Sequence, residues 1–265
     1  MSLTLNQFEV LTYIEKKQDE KITQRDISKQ CRLSLGNVNK LVTELQEQEL
    51  IKTVDETGYT VTLKGYEWLE PYRVKKAIFM AAGFGSRMVP VTLNTPKPLI
   101  KVHGKKMIET LLDAVLEAGI TDITIVRGYL GEQFDLLKKK YPMIKFVDNP
   151  IYNEANNISS VYLIRDMMAN AYILEADLVL YNKELIRKYE YTSNYLGMYT
   201  ERTDDWCFDV KDNMITQQKV GGLNCYQEIG ISYWSEQDGI KLAEHIKATS
   251  KCPAVKNVIG IRFHY

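Results

Sequence analysis

The 265-residue chain has no cysteines at C-x-x-C spacing: Cys31, Cys207, Cys225 and Cys252 are scattered along it. That excludes a zinc finger or ribbon and a disulfide framework, and it fits a reducing compartment. The N-terminus has no apolar signal core, and no apolar run approaches membrane-spanning length. No membrane partner is therefore expected, and the chain reads as cytoplasmic. Net charge is also missing: 34 Lys and Arg balance 34 Asp and Glu, which argues against a general polyanion binder. Internal repeats and low-complexity tracts are absent. What is present is a globular composition, 45% hydrophobic and 26% charged, in a chain long enough for a small domain plus a medium one.

The most informative stretch begins where the apolar run Ala77 to Met80 gives way to Ala81-Ala82-Gly83-Phe84-Gly85-Ser86-Arg87-Met88. Thr95-Pro96-Lys97-Pro98-Leu99 follows, with Lys97 ten positions after Arg87 (97 − 87). The pattern is neither G-x-G-x-x-G nor G-x-x-x-x-G-K-[ST], so the dinucleotide and P-loop readings lose ground. It reads as a strand that hands over to a triphosphate-wrapping loop. Glycines let backbone N–H groups approach phosphate oxygens, and Arg87 and Lys97 supply fixed positive charge.

The chain falls into two parts. In residues 1–72, Leu5, Phe8, Val10, Leu11 and Ile14 recur at helical spacing. Thr23 is a candidate N-cap for a second helix, and Val38, Leu41, Val42 and Leu45 mark a third. Ile51–Val54 and Tyr59–Leu63 read as a hairpin, and a last helix through Tyr66, Trp68 and Leu69 runs to Pro71. Three helices and a hairpin resemble the winged helix-turn-helix domain of MarR-type regulators. Asn37, Asn39 and Lys40 are available for bases or phosphates, but Glu44, Glu47 and Glu49 follow on the same helix. DNA binding and a dimerisation or regulatory role both stay open.

From Lys75 onward strand and helix alternate, which predicts right-handed βαβ units and a mostly parallel sheet. The expected strands are 76–81, 123–126, 144–147 and 171–176. The expected helices are 107–118, 132–141, 157–167, 183–189 and 235–248. The fold class is thus α/β: a Rossmann-like domain with a mixed, mostly parallel sheet over 75–248, preceded by a small α+β winged-helix domain. Ligands of such sheets bind beyond the carboxyl ends of the strands, where the glycine loop lies. Asp177 ends the run Ala171–Ala176 at that same edge and is the candidate Mg²⁺ ligand, since Mg²⁺ takes one or two carboxylates plus substrate phosphates.

The string A-A-G-x-G-S-R-M-x-P-x-T…T-P-K-P-L resembles the signature of nucleotidyltransferases that join an NTP to a phosphorylated small molecule. Residues 75 to about 240 look more narrowly like the bacterial CTP:phosphocholine cytidylyltransferases of the sugar-nucleotidyltransferase-like family. Besides the glycine loop, the stretches Asn149–Leu163, Glu175-Ala176-Asp177 and Gly230–Trp234 carry this likeness. The resemblance implies CDP-choline synthesis from CTP and phosphocholine with Mg²⁺. Arg87 and Lys97 would be the catalytic cations, and Asp177 would hold the metal. Ala81, Ala82, Gly83, Gly85 and Ser86 would bind the nucleotide; Asn156, Asn157, Trp206 and Trp234 would bind the acceptor. The aromatics after Asp177 fit a quaternary ammonium, which is recognised by ring faces and a nearby carboxylate.

The segment 249–265 departs from that family. It contains no Asp or Glu, where the family continues to a second acidic metal ligand, and it reads as a truncated or frameshifted tail. Two competing readings remain: a sugar-1-phosphate nucleotidyltransferase, and a DNA-binding regulator with a nucleotide-sensing transferase domain. The oligomeric state is left open.

Overall fold

The computed structural model describes residues 2–17, 20–55, 58–153 and 158–249. It divides into two compact units. One comprises the chain up to Arg73 together with Tyr189–Tyr191; the other comprises Val74–Lys188 and the described chain from Thr192 onward. The tail singled out above lies outside the described residues beyond Thr249.

In the first unit each of the first three helices opens on a hydroxyl cap. Thr4 caps α1 (Leu5–Lys16), Thr23 caps α2 (Gln24–Cys31), and Ser34 caps α3 (Leu35–Glu47). These caps satisfy N–H groups that a helical first turn leaves unpaired. Phe8, Leu11 and Ile14 of α1, Ile27 of α2, and Val38, Leu41, Val42 and Leu45 of α3 share one core. Strands β1 (Ile51–Val54) and β2 (Gly58–Val61) pair antiparallel. Thr62 and Leu63, counted with the second strand in the sequence, instead cap and open α4 (Leu63–Leu69), with Thr62 Oγ1 accepting from Gly65 N at 3.1 Å. The result is the expected winged helix, with one addition. Tyr189 bridges to Arg73, Glu190 N donates to Tyr72 O at 2.9 Å, and Tyr191 stacks on Tyr72 with ring centroids 5.4 Å apart.

The second unit is built on a six-stranded sheet. Its glycine-loop strand is β3 (Lys76–Ala81), followed by a small hairpin of β4 (Lys101–Val102) and β5 (Lys105–Lys106) and by α5 (Met107–Glu117). Then come β6 (Asp122–Arg127), β7 (Lys145–Asp148), α6 (Ile158–Ile164) and β8 (Ala171–Glu175). The long strands β9 (Asn194–Lys211) and β10 (Met214–Trp234) precede α7 (Glu236–Thr249). Strand order is β7-β6-β3-β8-β10-β9. The first four are parallel, and β10 and β9 are antiparallel additions. Alternation along β3 sends Ala77, Phe79 and Ala81 to the face covered by α5, and Ile78 to the face covered by α6 and α7. Full burial of a side chain such as Phe79 contributes roughly 1.5–3 kcal/mol.

Two expected helices change. The helix expected over 132–141 is a 3-10 segment, Gly131–Lys139, and its buried Gly131, Phe134 and Leu137 recur every third residue, matching three residues per turn. The helix expected over 183–189 is a single turn, Lys183–Leu185, because Ile186 belongs to the core of the sheet unit and Tyr189 to the core of the winged-helix unit. Two residues sent to different cores cannot share one helix stripe. The β9–β10 ribbon, to which the sequence assigned no element, curls so that Gln227 pairs with both Met198 and Cys207. Among the described residues no helix is long and apolar enough to cross a membrane.

Gly65 is a packing requirement that the sequence hides. A Cβ there would stand 2.2 Å from Leu50 O and 2.7 Å from Val61 Cγ1. Gly65→Ala is expected to destabilise the winged-helix unit by about 1–3 kcal/mol, the usual cost of overpacking, read as an earlier denaturant transition of that unit.

Candidate active site

The parallel pairing of β3 with β6 and β8 brings three strand ends to one edge. There the glycine loop leaves β3. Gly85 adopts φ +69, a conformation costly for side-chain-bearing residues, and a Cβ on it would lie 3.1 Å from Thr92 Cγ2 and 3.2 Å from Lys97 Cβ. The buried Thr92 closes the loop by donating from Oγ1 to Gly85 O at 3.0 Å. Gly83 differs: nothing lies within 4 Å of a Cβ built on it, so its missing side chain leaves open space at the strand end. Ala81 and Ala82 are buried, and Ala82 O accepts from Tyr129 N at 3.1 Å, which ties the start of the glycine loop to the end of the neighbouring strand. Ser86 and Arg87 lie in an exposed 3-10 turn, and Arg87 makes no ion pair among the described residues.

Lys97 sits in a second 3-10 turn, pinned by buried Pro98 and Leu99. Its Nζ donates to Asp177 Oδ2. Asp177 follows β8 directly, after Ala176 N has donated to Met80 O at 3.2 Å. The structure thus joins the two residues that sequence spacing singled out independently, across 80 positions.

Beside this pair further carboxylates act on one another, and of these the sequence reading passed over Glu228. Glu175 lies opposite Gly230, which takes φ +72; a Cβ on Gly230 would stand 2.7 Å from Glu175 Cγ. Only glycine leaves the glutamate room. Burial raises the Glu175 carboxyl above the usual range, and the charges of Asp177, Glu228 and Asp205 add to the rise while Lys97 opposes it. Glu228 of β10 is raised as well, by burial and by Asp205, against a hydrogen bond from Gln218 Nε2 at 3.2 Å. The signal available in the sequence was the spacing of Glu175 and Asp177, two residues apart at a strand end. Glu228 had none, because it reaches the site through the curl of the ribbon.

Carboxylate oxygens are the hard donors that Mg²⁺ prefers, so the residues present fit that ion. Among the described residues no group of three or more His, Cys, Asp or Glu side chains closes on one point, which leaves substrate phosphates to complete a coordination shell.

The candidate acceptor residues divide. Asn156 and Asn157 lie outside the described residues. The loop leading to them is anchored by buried Asn149, whose Nδ2 donates to Ser159 and Ser160 Oγ, each at 2.9 Å. Trp234 does not meet the cleft. It is 4% exposed, pairs with Ala171 at the far end of β8 from Asp177, and donates from Nε1 to Ser232 Oγ at 3.1 Å. It is a core residue, and the expectation that it binds substrate is corrected. The other aromatics largely satisfy one another: Tyr195 meets Phe208 and Trp234, Tyr172 meets Tyr233, and Tyr199 meets Tyr226. Half-buried Trp206, next to Asp205, enters no ring–ring contact among the described residues.

Comparison with known proteins agrees with this geometry. Residues 76–202 match the nucleotidyl transferase family, and residues 1–58 match the MarR family. The chain is 43% identical over 171 residues to a 2-aminoethylphosphonate cytidylyltransferase from Lancefieldella rimae, covering 63% of this chain and 70% of that one. It is 38% identical over 177 residues to a choline-phosphate cytidylyltransferase from Streptococcus pneumoniae, covering 64% and 75%. A solved structure of CTP:phosphocholine cytidylyltransferase from Streptococcus pneumoniae superposes with a TM-score of 0.63 at 36% identity, covering 68% of this chain and 78% of that one. Loop, strand-end aspartate and relatives agree: this chain belongs to the nucleotidyl transferase family, among its cytidylyltransferases, and carries a MarR-type winged helix ahead of the transferase domain.

Proposed function

We propose that the chain transfers the cytidylyl group of CTP to a small zwitterion that carries a phosphoryl or phosphonyl group at one end and a cationic amine at the other, with release of pyrophosphate. Phosphocholine is the first acceptor in view, and 2-aminoethylphosphonate the second. The observation that carries the reading is the meeting of Lys97 and Asp177 beside the glycine loop, with acids on the flank away from it.

Phosphoryl transfer asks a protein mainly for alignment and charge neutralisation. Exposed Arg87 is placed to hold the β- and γ-phosphates. Lys97 neutralises the attacking oxygen of the acceptor and the α-phosphate. Backbone N–H groups of Ala82, Gly83 and the Gly85–Ser86 turn hold the rest of the nucleotide. Mg²⁺ on Asp177, with Glu175 adjacent, would supply charge neutralisation between the two substrates. A cytoplasmic place of work goes with a nucleoside triphosphate substrate.

The amine end fits the acid wall in two chemistries. A quaternary ammonium favours the free face of Trp206, whereas a primary ammonium can donate hydrogen bonds to Glu228, Glu175 and Asp205. The test is a pyrophosphate-release assay with CTP and each acceptor. Turnover with at least one of them, lowered on the order of a hundredfold to a thousandfold by Asp177→Asn, is expected. Turnover with glucose 1-phosphate and neither zwitterion would hand the chain to the sugar-nucleotide branch.

For the winged helix we propose duplex binding. In α3, Val38, Leu41, Val42 and Leu45 are buried while Leu35, Gly36, Asn39 and Lys40 stay exposed, with Lys52 exposed on β1. Lys40 lies 3.7 Å from Glu44, an exposed pairing that competes only weakly with a phosphate. Fluorescence anisotropy with DNA from upstream of the gene should show binding that weakens steeply with salt. No binding at low salt would leave the unit as a dimerisation or regulatory module.

Glu228 gives a pH signature. Its folded carboxyl holds a proton more tightly than an unfolded one, so its favourable contribution to folding is complete below the ordinary glutamate range and is lost as pH rises through the raised value. The facing charges are Glu175 from β8 and Asp205 from β9. Glu228→Gln should therefore melt higher than wild type at neutral pH, and the gain should vanish below about pH 4. An equal gain at both pH values would show that packing, not charge, is responsible.

A further inference from the structure

Lys97 and a divalent cation want the same carboxylate. The Lys97 ammonium is bound to Asp177 Oδ2, and the two side chains are 27% and 29% exposed, so the pair sits in a partly screened site that small ions can enter. The Lys97 backbone is fixed in its turn between Pro96 and Pro98, and its Cβ lies against the Gly85 backbone. Only the four-carbon stem is free to swing. A metal ion seated on Asp177 would face the ammonium at close range, and two like charges about 4 Å apart repel even when partly screened. Glu175 is a further carboxylate on which both Lys97 and Asp177 act, so it would feel a cation on Asp177 as well. A displaced ammonium therefore gains most from an anion that arrives from outside, and the acceptor brings one.

We propose that Lys97 and the divalent cation are alternatives on Asp177. Lys97 holds the carboxylate in place until the metal arrives with the nucleotide; metal entry then frees the ammonium for the acceptor's phosphoryl or phosphonyl oxygens. Lys97 is thus a two-position residue. The inference rests on the cytidylyl-transfer reading, and it separates the jobs of two residues that this reading leaves side by side.

The test is metal binding, independent of turnover. Mn²⁺ alone is titrated into the full chain, wild type, Lys97→Met and Asp177→Asn, with free Mn²⁺ read by electron paramagnetic resonance. Lys97→Met should bind Mn²⁺ about fivefold more tightly than wild type, since an exposed pair contributes up to about that factor. Asp177→Asn should lose the site. In parallel, isotope-coded reductive methylation followed by mass spectrometry reads the availability of the Lys97 amine, which should rise as Mn²⁺ fills the wild-type site and stay constant in Asp177→Asn. Equal or weaker Mn²⁺ binding by Lys97→Met, or a Lys97 reactivity indifferent to Mn²⁺, overturns the exchange and leaves the cytidylyl-transfer reading standing. Mn²⁺ binding by Asp177→Asn at the wild-type level removes the metal from Asp177, and the exchange falls with it.

Discussion

The register between β3 and β8 is the constraint on which the site depends. Lys76 pairs with Ala171 and Met80 with Glu175, and the ladder closes where Ala176 N meets Met80 O. That register delivers the glycine loop and Asp177 to the same edge. It is held because the two sheet faces bury different sets: Phe79 and Leu174 go to one core, Ile78 and Ile173 to the other. A slip of one residue would invert both sets at once, so the burial that stabilises the sheet also fixes the chemistry at its end. The Lys97–Asp177 contact is a consequence. Half-buried at the cleft, the pair reports geometry that the core has already set.

What could be read from the sequence follows from locality. β3, α5 and β6 each carry their own apolar period, and the structure gives β3 the expected bounds, 76–81. Gly119 stops α5 with φ +80 just where its pattern ends. The hydroxyl cap at Thr23 was legible for the same reason. Segments that serve two cores were not. Ile186 and Tyr189 look like one helix stripe, yet each is buried in a different unit. The β9–β10 ribbon hides its curl, because pairing of Gln227 with both Met198 and Cys207 depends on bulges and not on any local period.

The candidate site shows the same division. Lys97 and Asp177 could be singled out from residue type and position, and the structure brings them together, while Arg87 lies in the exposed turn after the glycine loop. Trp234 misled because an aromatic on a strand looks the same whether it meets a ligand or the core, and only its pairing partner Ala171 tells which end of the sheet it occupies. Glu228 was invisible because its value comes from neighbours contributed by two other strands.

Charge is distributed unevenly around the site, and the unevenness has a direction. Arg87 stands exposed and without an ion pair among the described residues, whereas Lys97 is engaged. An unpaired guanidinium has no internal partner to leave and presents a preorganised fork, so it suits the first contact with an incoming polyanion. A paired ammonium must first be released, so it suits a later one. On the other flank the like charges of Glu175, Glu228 and Asp205 disfavour one another until a cation arrives. Gly230 gives the Glu175 side chain the room it occupies there. The site is left short of positive charge on one side and supplied with free positive charge on the other, so its two flanks are complementary to groups of opposite sign. That complementarity belongs to the arrangement as a whole, and no single residue in it would have revealed it.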